Sequence, residues 1–533
     1  MYECPNCAAN LKFDIPSQQL KCDYCGTMMN PYDFQKERDV LETTVEEEDY
    51  EVTVFRCPQC GGELLSDDTT VATFCCFCGG STILDSRIDR KMRPRQIIPF
   101  QKTKEDCRNA YAKLLHRAFF APDELKDKDY IERFLPIYMP YWVYNFEKEE
   151  HVAFTGKQSE RSGDYVITKY YKIESDVQSK YKGITFDAAS SFPDELSNAI
   201  APFEWREARA FTPSFLSGFY ADAGDVGAQV YQEDARALVQ QDMCDKMQQE
   251  KMCREYELGG DFIEAMSPGR MQQEFVMLPV WFLTYRKKER VTYVAVNGQT
   301  GKAAGDIPVD KGKYLRASFL CAIPIFVLLN LFLSLKASTM LAVTAVLALA
   351  ACVMSVQQEK RLRVKRLGTD DKGKLGDIKL EESSGVHIIF PRGTLREILR
   401  GLSSVIIVLV GVLLVSYLGE TGAMVVMIGM FLFAIVGVLI KKPVQPVRLT
   451  KSSRHSIAWE DLKKGLARPG TGLLAAALVL VLHPVSDLYY YGAALIVMAL
   501  IGWDILDMIE RYNLLVSTEL PQFHKRGGEE NVR

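Results

Sequence analysis

Eight cysteines near the start of the chain constrain its fold more than any other feature. Cys4-Pro5-Asn6-Cys7 is followed after fourteen residues by Cys22-Asp23-Tyr24-Cys25. Cys57-Pro58-Gln59-Cys60 is followed, again after fourteen residues, by Cys75-Cys76-Phe77-Cys78. A CxxC turn points two thiolates at one metal, and a second such turn on a facing hairpin completes a tetrahedron of sulfurs. The doubled C-x2-C-x14-C-x2-C pattern predicts two zinc ribbons in tandem. One is closed by Cys4, Cys7, Cys22 and Cys25, the other by Cys57, Cys60, Cys75 and Cys78. Matched spacing favours Cys75, with Cys76 as an alternative ligand. Units this small cannot bury a sufficient core, so two structural Zn2+ ions are expected to supply the missing folding energy. Four cysteines leave no position for a catalytic water. Gly26, Gly61 and Gly79 each follow a knuckle, where the backbone often needs a conformation that glycine takes without strain. Leu11-Lys12-Phe13 and Val71-Ala72-Thr73-Phe74 read as short strands between knuckles.

The charges around these motifs argue against nucleic acid. Residues 57–86 contain no Lys or Arg but carry Glu63, Asp67, Asp68 and Asp85, and the stretch between the ribbons holds Glu46-Glu47-Glu48-Asp49. Each Cys4 zinc site adds negative charge, whereas phosphate binding needs a basic face. The basic stretch from Arg87 to Arg95 reads as a solvated linker. A thioredoxin-type redox pair also uses CPxC, but such pairs do not come as four CxxC units at matched spacing. Thiolates that ligate metal persist best in a reducing compartment, which places this part in the cytosol. The opening residues Met1-Tyr2-Glu3-Cys4 show no basic n-region and no apolar h-region, so no signal peptide is expected.

Residues 96–310 read as a soluble α+β unit. Cys107, Ala110, Tyr111, Leu114 and Leu115 form one stripe of a helix over 103–119. Residues 135–146 and 165–171 read as antiparallel strands, 193–200 as a short helix, and 228–256 as a long charged helix. Further strands follow at 277–285 and 291–296. Pro140-Tyr141-Trp142 and Pro279-Val280-Trp281 look like counterparts, either of a weak internal repeat or as two Pro-entered edge strands with a buried Trp. Gly298-Gln299-Thr300-Gly301-Lys302 lacks the spacing of a phosphate loop, and Asn297-Gly298 reads as a hairpin turn. His116 and His151 stand alone. No HExxH, GxSxG or nucleophile–base pattern is present, so no enzymatic activity is expected.

After Tyr314 the composition changes. Apolar segments run at about 315–335, 338–356, 402–418, 422–440, 470–485 and 488–508, in three pairs. A membrane span needs roughly 17–25 residues. The fifth segment is short, ends at His483-Pro484, and is either a span or a re-entrant segment. The loop 357–401 carries eleven Lys/Arg and 441–471 carries eight, while the opposite loops are tiny. The positive-inside rule therefore places the basic loops and both termini in the cytosol. The interiors of the first four spans hold no acidic or basic side chain; Asp504 and Asp507 lie near the cytosolic end of the last. Pumps and transporters usually carry ionisable groups along their path, so an anchor is favoured over a conduit. The basic loops also suit anionic membrane lipids.

The order of parts resembles a bacterial family of TFIIB-type double zinc-ribbon membrane proteins, some of them labelled primosomal helicase-like. The resemblance rests on the two ribbons, Pro140-Tyr141-Trp142, Leu278-Pro279-Val280-Trp281, the 297–302 hairpin and Asp306-Ile307-Pro308, and covers about residues 1–335. It implies association with membrane-stress operons. The implied partners are a phage-shock coat protein and SPFH- or TPM-domain proteins, and the implied role is a platform under envelope stress. This chain adds further spans to the simpler members. The helicase label finds no Walker motif.

The expected architecture is therefore multidomain: two small β zinc ribbons, an α+β soluble domain and an all-α multi-pass transmembrane region. The parts are ribbon 1 (1–30), an acidic linker (31–55), ribbon 2 (56–86), the α+β domain (96–310), transmembrane hairpins at 314–357, 402–440 and 470–509, basic loops at 358–401 and 441–469, and a cytosolic tail (510–533). The expected function is a multi-pass scaffold of the bacterial cytoplasmic membrane that binds protein partners. A membrane-tethered nucleic-acid binder and a transporter with zinc-ribbon regulation are the alternatives.

Overall fold

The computed structural model describes residues 2–33, 49–65, 75–80, 85–127, 131–162, 165–332, 336–368 and 459–521. The strand expected at 71–74, the apolar segments within 402–440 and most of the basic loops lie outside the described residues.

Strands β1 (Leu11–Asp14), β2 (Gln19–Cys22) and β3 (Met28–Met29) make a small antiparallel sheet, with Leu11 opposite Cys22. Thirteen strands share a second sheet: β4 (Asp49–Arg56), β5 (Glu63–Leu65), β6 (Asp85–Met92), β7 (Gln96–Ile97), β8 (Leu135–Ser162), β9 (Tyr165–Asp187), β10 (Arg209–Ala210), β11 (Tyr220–Asp222), β12 (Glu257–Leu258), β13 (Arg270–Lys287), β14 (Arg290–Asn297), β15 (Ala303–Gly305) and β16 (Thr518–Glu519). The hydrogen-bonded order is β10-β7-β13-β8-β11-β5-β4-β6, with β9 on β8 and β14 on β13.

The antiparallel pair β8–β13 is central, in register from Leu135–Phe282 to Glu147–Arg270. The two Pro-aromatic motifs thus lie on neighbouring inner strands, which corrects the edge-strand expectation. Pro140 faces Met277 and Pro279 faces Tyr138, while the two proline carbonyls accept from Ala188 and Gly298 outside the ladder. Both tryptophans are buried as expected. Trp142 donates to Val226 O at 2.8 Å and Trp281 to Lys102 O at 2.9 Å.

Side chains alternate across a strand, so two buried faces mean two apolar layers. On one face lie Tyr138, Trp142, Phe275, Met277 and Trp281, covered by helix α1 (Lys104–Arg117) through Cys107, Tyr111 and Leu115. Thr103 caps α1 in a capping box with Asp106, which sets its start. On the other face lie Ile137, Met139, Tyr141, Val276, Leu278 and Phe282, covered by the short helix α2 (Asp194–Ile200).

Other expectations are refined. The helix expected over 228–256 is broken: α3 (Gln232–Gln249) ends where Glu250 becomes extended, and only the turn Lys251–Arg254 continues. The connection after β14 is a longer loop than an Asn-Gly turn. Asn297 N donates to Lys302 O, Gly301 takes φ +79, and the Asn297 carboxamide oxygen accepts from Gln299 N and Thr300 N. Two loop amides are thereby used internally. The end of the acidic linker and the basic stretch at 87–92 are not linkers, because β4 pairs with β6 over all eight residues.

Beyond the sheet, α4 (Gly260–Ala265) packs on β8, and four long helices follow: α5 (Lys311–Phe332), α6 (Ala337–Gly368), α7 (Trp459–Leu482) and α8 (Asp487–Val516). Ala337, Leu341, Ala345 and Ala348 of α6 pack with Ala476 of α7 and Tyr490, Ala493, Ala494 and Val497 of α8. Small residues let these backbones approach closely. Asp504 is buried and accepts from the Ser355 hydroxyl across α6–α8, and Asp507 pairs with Arg468 at 3.0 Å and with Arg511. Among the described residues, two helices are long and apolar enough to cross a membrane, at Ala337–Gln358 and Asp487–Val516; Ala467–Leu482 is a shorter apolar helix.

Candidate metal centres

The knuckles are built by local backbone bonds. In each, the cysteine carbonyl accepts from the amide four residues on: Ala8 to Cys4, Gly26 to Cys22, Gly61 to Cys57 and Gly79 to Cys75, at 2.7–2.9 Å. The cysteine amide in turn donates to the carbonyl five residues on, as from Cys57 to Gly62 and from Cys75 to Gly80. This reversal needs a left-handed residue directly after the second cysteine of the knuckle. Gly26, Gly61 and Gly79 have φ of +74, +77 and +66, and Ala8 takes φ +56 in the one knuckle without glycine.

The eight expected cysteines are brought together in two groups of four, each with all sulfurs within 4.8 Å of one another. In the first group the Sγ–Sγ distances include Cys4–Cys25 at 3.5 Å, and Cys7–Cys22 and Cys7–Cys25 at 3.4 Å. In the second, Cys57–Cys78 is 3.9 Å and Cys60–Cys75 is 3.7 Å. A tetrahedral metal with sulfur ligands at ~2.3 Å has S–S edges of about 3.8 Å. The sulfurs therefore fit one ion per group, and each Cys4 group could hold a metal ion such as zinc. No two cysteines of the chain are disulfide-bonded. Cys76 is not among the grouped sulfurs; it is buried, and its carbonyl accepts from the Thr284 hydroxyl.

Crowded thiols cannot all ionise unaided. The surrounding Cys57, Cys75 and Cys78, with burial, push the Cys60 thiol far up. A divalent cation reverses that balance and deprotonates its thiol ligands.

The two sites sit on opposite faces of the central strands and differ in exposure. The first ribbon docks on the α1 face. Phe13 meets Phe215 at 5.4 Å and Phe219 at 6.2 Å, Phe13 N donates to Ser217 O at 3.0 Å, and Gln18 donates to Phe100 O at 2.7 Å. Its Cys25 is exposed and Cys7 half-buried. The Thr27 hydroxyl beside Cys25 draws that thiol down to about 6. All four sulfurs of the second site are buried in the layer that holds Tyr141, Phe282 and α2. Tyr293 OH donates to Phe77 O at 2.9 Å, and Arg286 donates to Gln59 Oε1, which lies 3.5 Å from Cys78 Sγ. These supports come from β13 and β14, more than 200 residues along the chain, and no local pattern marks them.

An excess of chelator should therefore remove one metal equivalent rapidly, from the first site, and the second only on unfolding. Metal release followed with a colorimetric zinc indicator checks this. A single release phase of two equivalents would contradict it.

Asp222 lies beside the second site, at the end of β11, where its partner is Leu64. It is buried and accepts from the Ser191 hydroxyl and from Gly224 N. Burial, reinforced by the Asp225 carboxylate, pushes its carboxyl from 3.8 up to about 7. The folded chain thus keeps a proton that the unfolded chain loses between these values. The group's contribution to stability is full below the lower value, falls as pH rises between the two, and is gone above the higher one. Asp222→Asn should flatten that decline in a plot of unfolding midpoint against pH; parallel curves for the two proteins would refute the assignment.

The two histidines read as standing alone join neither group. His151 pairs with Asp176 across the β8–β9 hairpin at 2.8 Å, and His116 is exposed at the end of α1.

The chain is similar to YdjG, an uncharacterised protein of Bacillus subtilis (strain 168). It is 27% identical over 316 residues, which span 58% of this chain and 91% of that one. No protein-family model matches the chain, and no solved structure matches it.

Proposed function

We propose that the protein is a non-catalytic, multi-pass membrane scaffold. Its soluble domain is folded around two Zn2+ ions and presents a cytosolic surface to protein partners. The observation that carries this reading is the joint between the sheet and the apolar helices. β16, just after α8, pairs with β14; Arg290 of β14 donates to the Ser517 hydroxyl at 2.8 Å; Asn513 of α8 exchanges hydrogen bonds with Val309; and Lys311 pairs with Glu510. A domain braced on the last helix is held at a fixed height above the membrane, which suits docking. Leu488, Leu495, Ile496, Met498 and Trp503 of α8 are exposed large apolar residues, a surface that lipid would cover. Asp504 and Asp507 are engaged between helices, which supports packing over conduction. Zinc is the metal favoured by the four-thiolate, tetrahedral donor set. Both termini and the basic loops lie in the cytosol of a bacterium on this reading. The family resemblance points to a phage-shock coat protein and SPFH- or TPM-domain proteins as partners under envelope stress.

The test is affinity purification of the detergent-solubilised full chain, with topology reporters fused at each end. Recovery of a membrane-stress partner that is lost in Cys25→Ser supports the reading. Absence of any partner, or a C-terminal reporter on the outer side, would sink it.

A further inference from the structure

The chain leaves the sheet after β15 and starts α5 at Lys311, and there the loop that follows α1 lies against it. Asp310 N donates to Phe120 O at 2.8 Å, and Lys313 Nζ donates to Ala121 O at 2.6 Å and pairs with Asp123. The Phe120 ring meets Tyr314 edge-on at 5.2 Å. From the other side, Asn513 and Glu510 of α8 hold Val309 and Lys311 at the same level. Loop 118–123 is thus held beside the first turn of α5, next to the long uncharged run that begins after Arg316.

Two exposed residues adjoin this contact. Phe119 is 76% exposed. Arg117, the last residue of α1, is exposed and has no ion-pair partner among the described residues. On α5 itself, Arg316 is exposed and donates to Gly312 O of its own helix, and Phe319 is exposed. The nearby acids Asp123 and Glu124 are engaged within the protein, with Lys313 and the Tyr285 hydroxyl.

We propose that the 117–120 loop is an interfacial anchor for an anionic phospholipid surface. Phe119 enters the headgroup layer, and Arg117 with Arg316 binds lipid phosphate. Aromatic rings favour that layer because it is apolar on one side and wet on the other. Guanidinium groups bind phosphate through paired N–H donors. The proposal rests on the reading that α5 enters a bilayer. It adds a second, non-spanning contact that fixes the tilt of the soluble domain over the membrane.

Photo-crosslinking of the full chain tests it. Phe119, Phe319 and Tyr24 are replaced, one at a time, by p-benzoylphenylalanine. Each protein is reconstituted in phosphatidylcholine with phosphatidylglycerol and in phosphatidylcholine alone. Lipid adducts are expected at 119 and 319, and none at Tyr24, which is exposed on the first ribbon. The adduct at 119 should fall without the anionic lipid and in Arg117→Glu, in both cases by more than the roughly fivefold that one cation contributes near an anionic leaflet, because two cations lose their partner in the first case and one is reversed in the second. The adduct at 319 should not change. Adducts at 319 with none at 119 would overturn the anchor and leave the membrane reading intact. No adduct at either position would overturn the membrane reading itself. An adduct at 119 indifferent to lipid charge and to Arg117→Glu would overturn the phosphate contact.

Discussion

Cys57→Ser should unfold the sheet domain and not merely the second ribbon. Cys57 directly follows β4, which pairs with β6 on one side and β5 on the other; β5 pairs with β11, and β11 with β8 at the centre. The knuckles of this site fill the layer between Phe282, Tyr293 and α2, so losing the metal removes part of the core. A structural zinc site contributes roughly 10–16 kcal/mol of apparent binding free energy in small peptides, as much as the whole stability of a typical domain, about 5–15 kcal/mol. The expected result is a purified full chain with less than one zinc and no protease-resistant fragment spanning the sheet. Cys25→Ser is the matched control. It removes an exposed ligand of the first site, so one zinc and the resistant sheet should remain. Identical digestion patterns for Cys57→Ser and the unmodified protein would refute the argument.

Phe100→Ala should cost about 3–5 kcal/mol, the range for truncating a buried aromatic. The ring is fully buried, stacks on Phe219 at 4.8 Å, and meets Tyr138 and Trp281 edge-on at 5.0 and 5.5 Å. It also lies where a Cβ on Gly298 would come within 2.6 Å, so the 297–302 loop is seated on it. Phe219 is in turn the ring on which Phe13 of the first ribbon rests. The substitution should therefore loosen two distant parts together, lowering the unfolding midpoint and speeding metal release from the first site in the folded protein, while the second site still releases only on unfolding. Unfolding in detergent, read beside the zinc indicator, checks both effects. A loss under about 1 kcal/mol would show that the cluster collapses to fill the gap.

The local parts of this structure were legible and the non-local ones were not. The helix over 103–119, its stripe Cys107-Tyr111-Leu115 and the hairpin strands were visible because each depends on neighbours a few residues away. The break of the charged helix at Glu250 was not, since no proline or glycine marks it. The basic run at 87–92 read as a linker because its pairing partner, β4, is about forty residues earlier. Pro140 and Pro279 suggested edge strands because proline lacks an amide. Their central position depends on loops at Ala188 and Gly298 that use the proline carbonyls outside the ladder.

By itself, the sequence determined the two sets of four cysteines, their left-handed glycines and the apolar helices at the C-terminal end. These follow from spacing, backbone sterics and hydrophobicity, all of which act over short stretches of chain. Only the tertiary structure decided that the two four-cysteine groups lie on opposite faces of one sheet, one half-exposed and one sealed. It also decided that Cys75, and not Cys76, joins the second group. The physical reason is that a sheet assembles strands far apart in sequence. Which side of β8 each ribbon covers is set by the alternation of residues such as Tyr138 and Tyr141 against partners that no local pattern names.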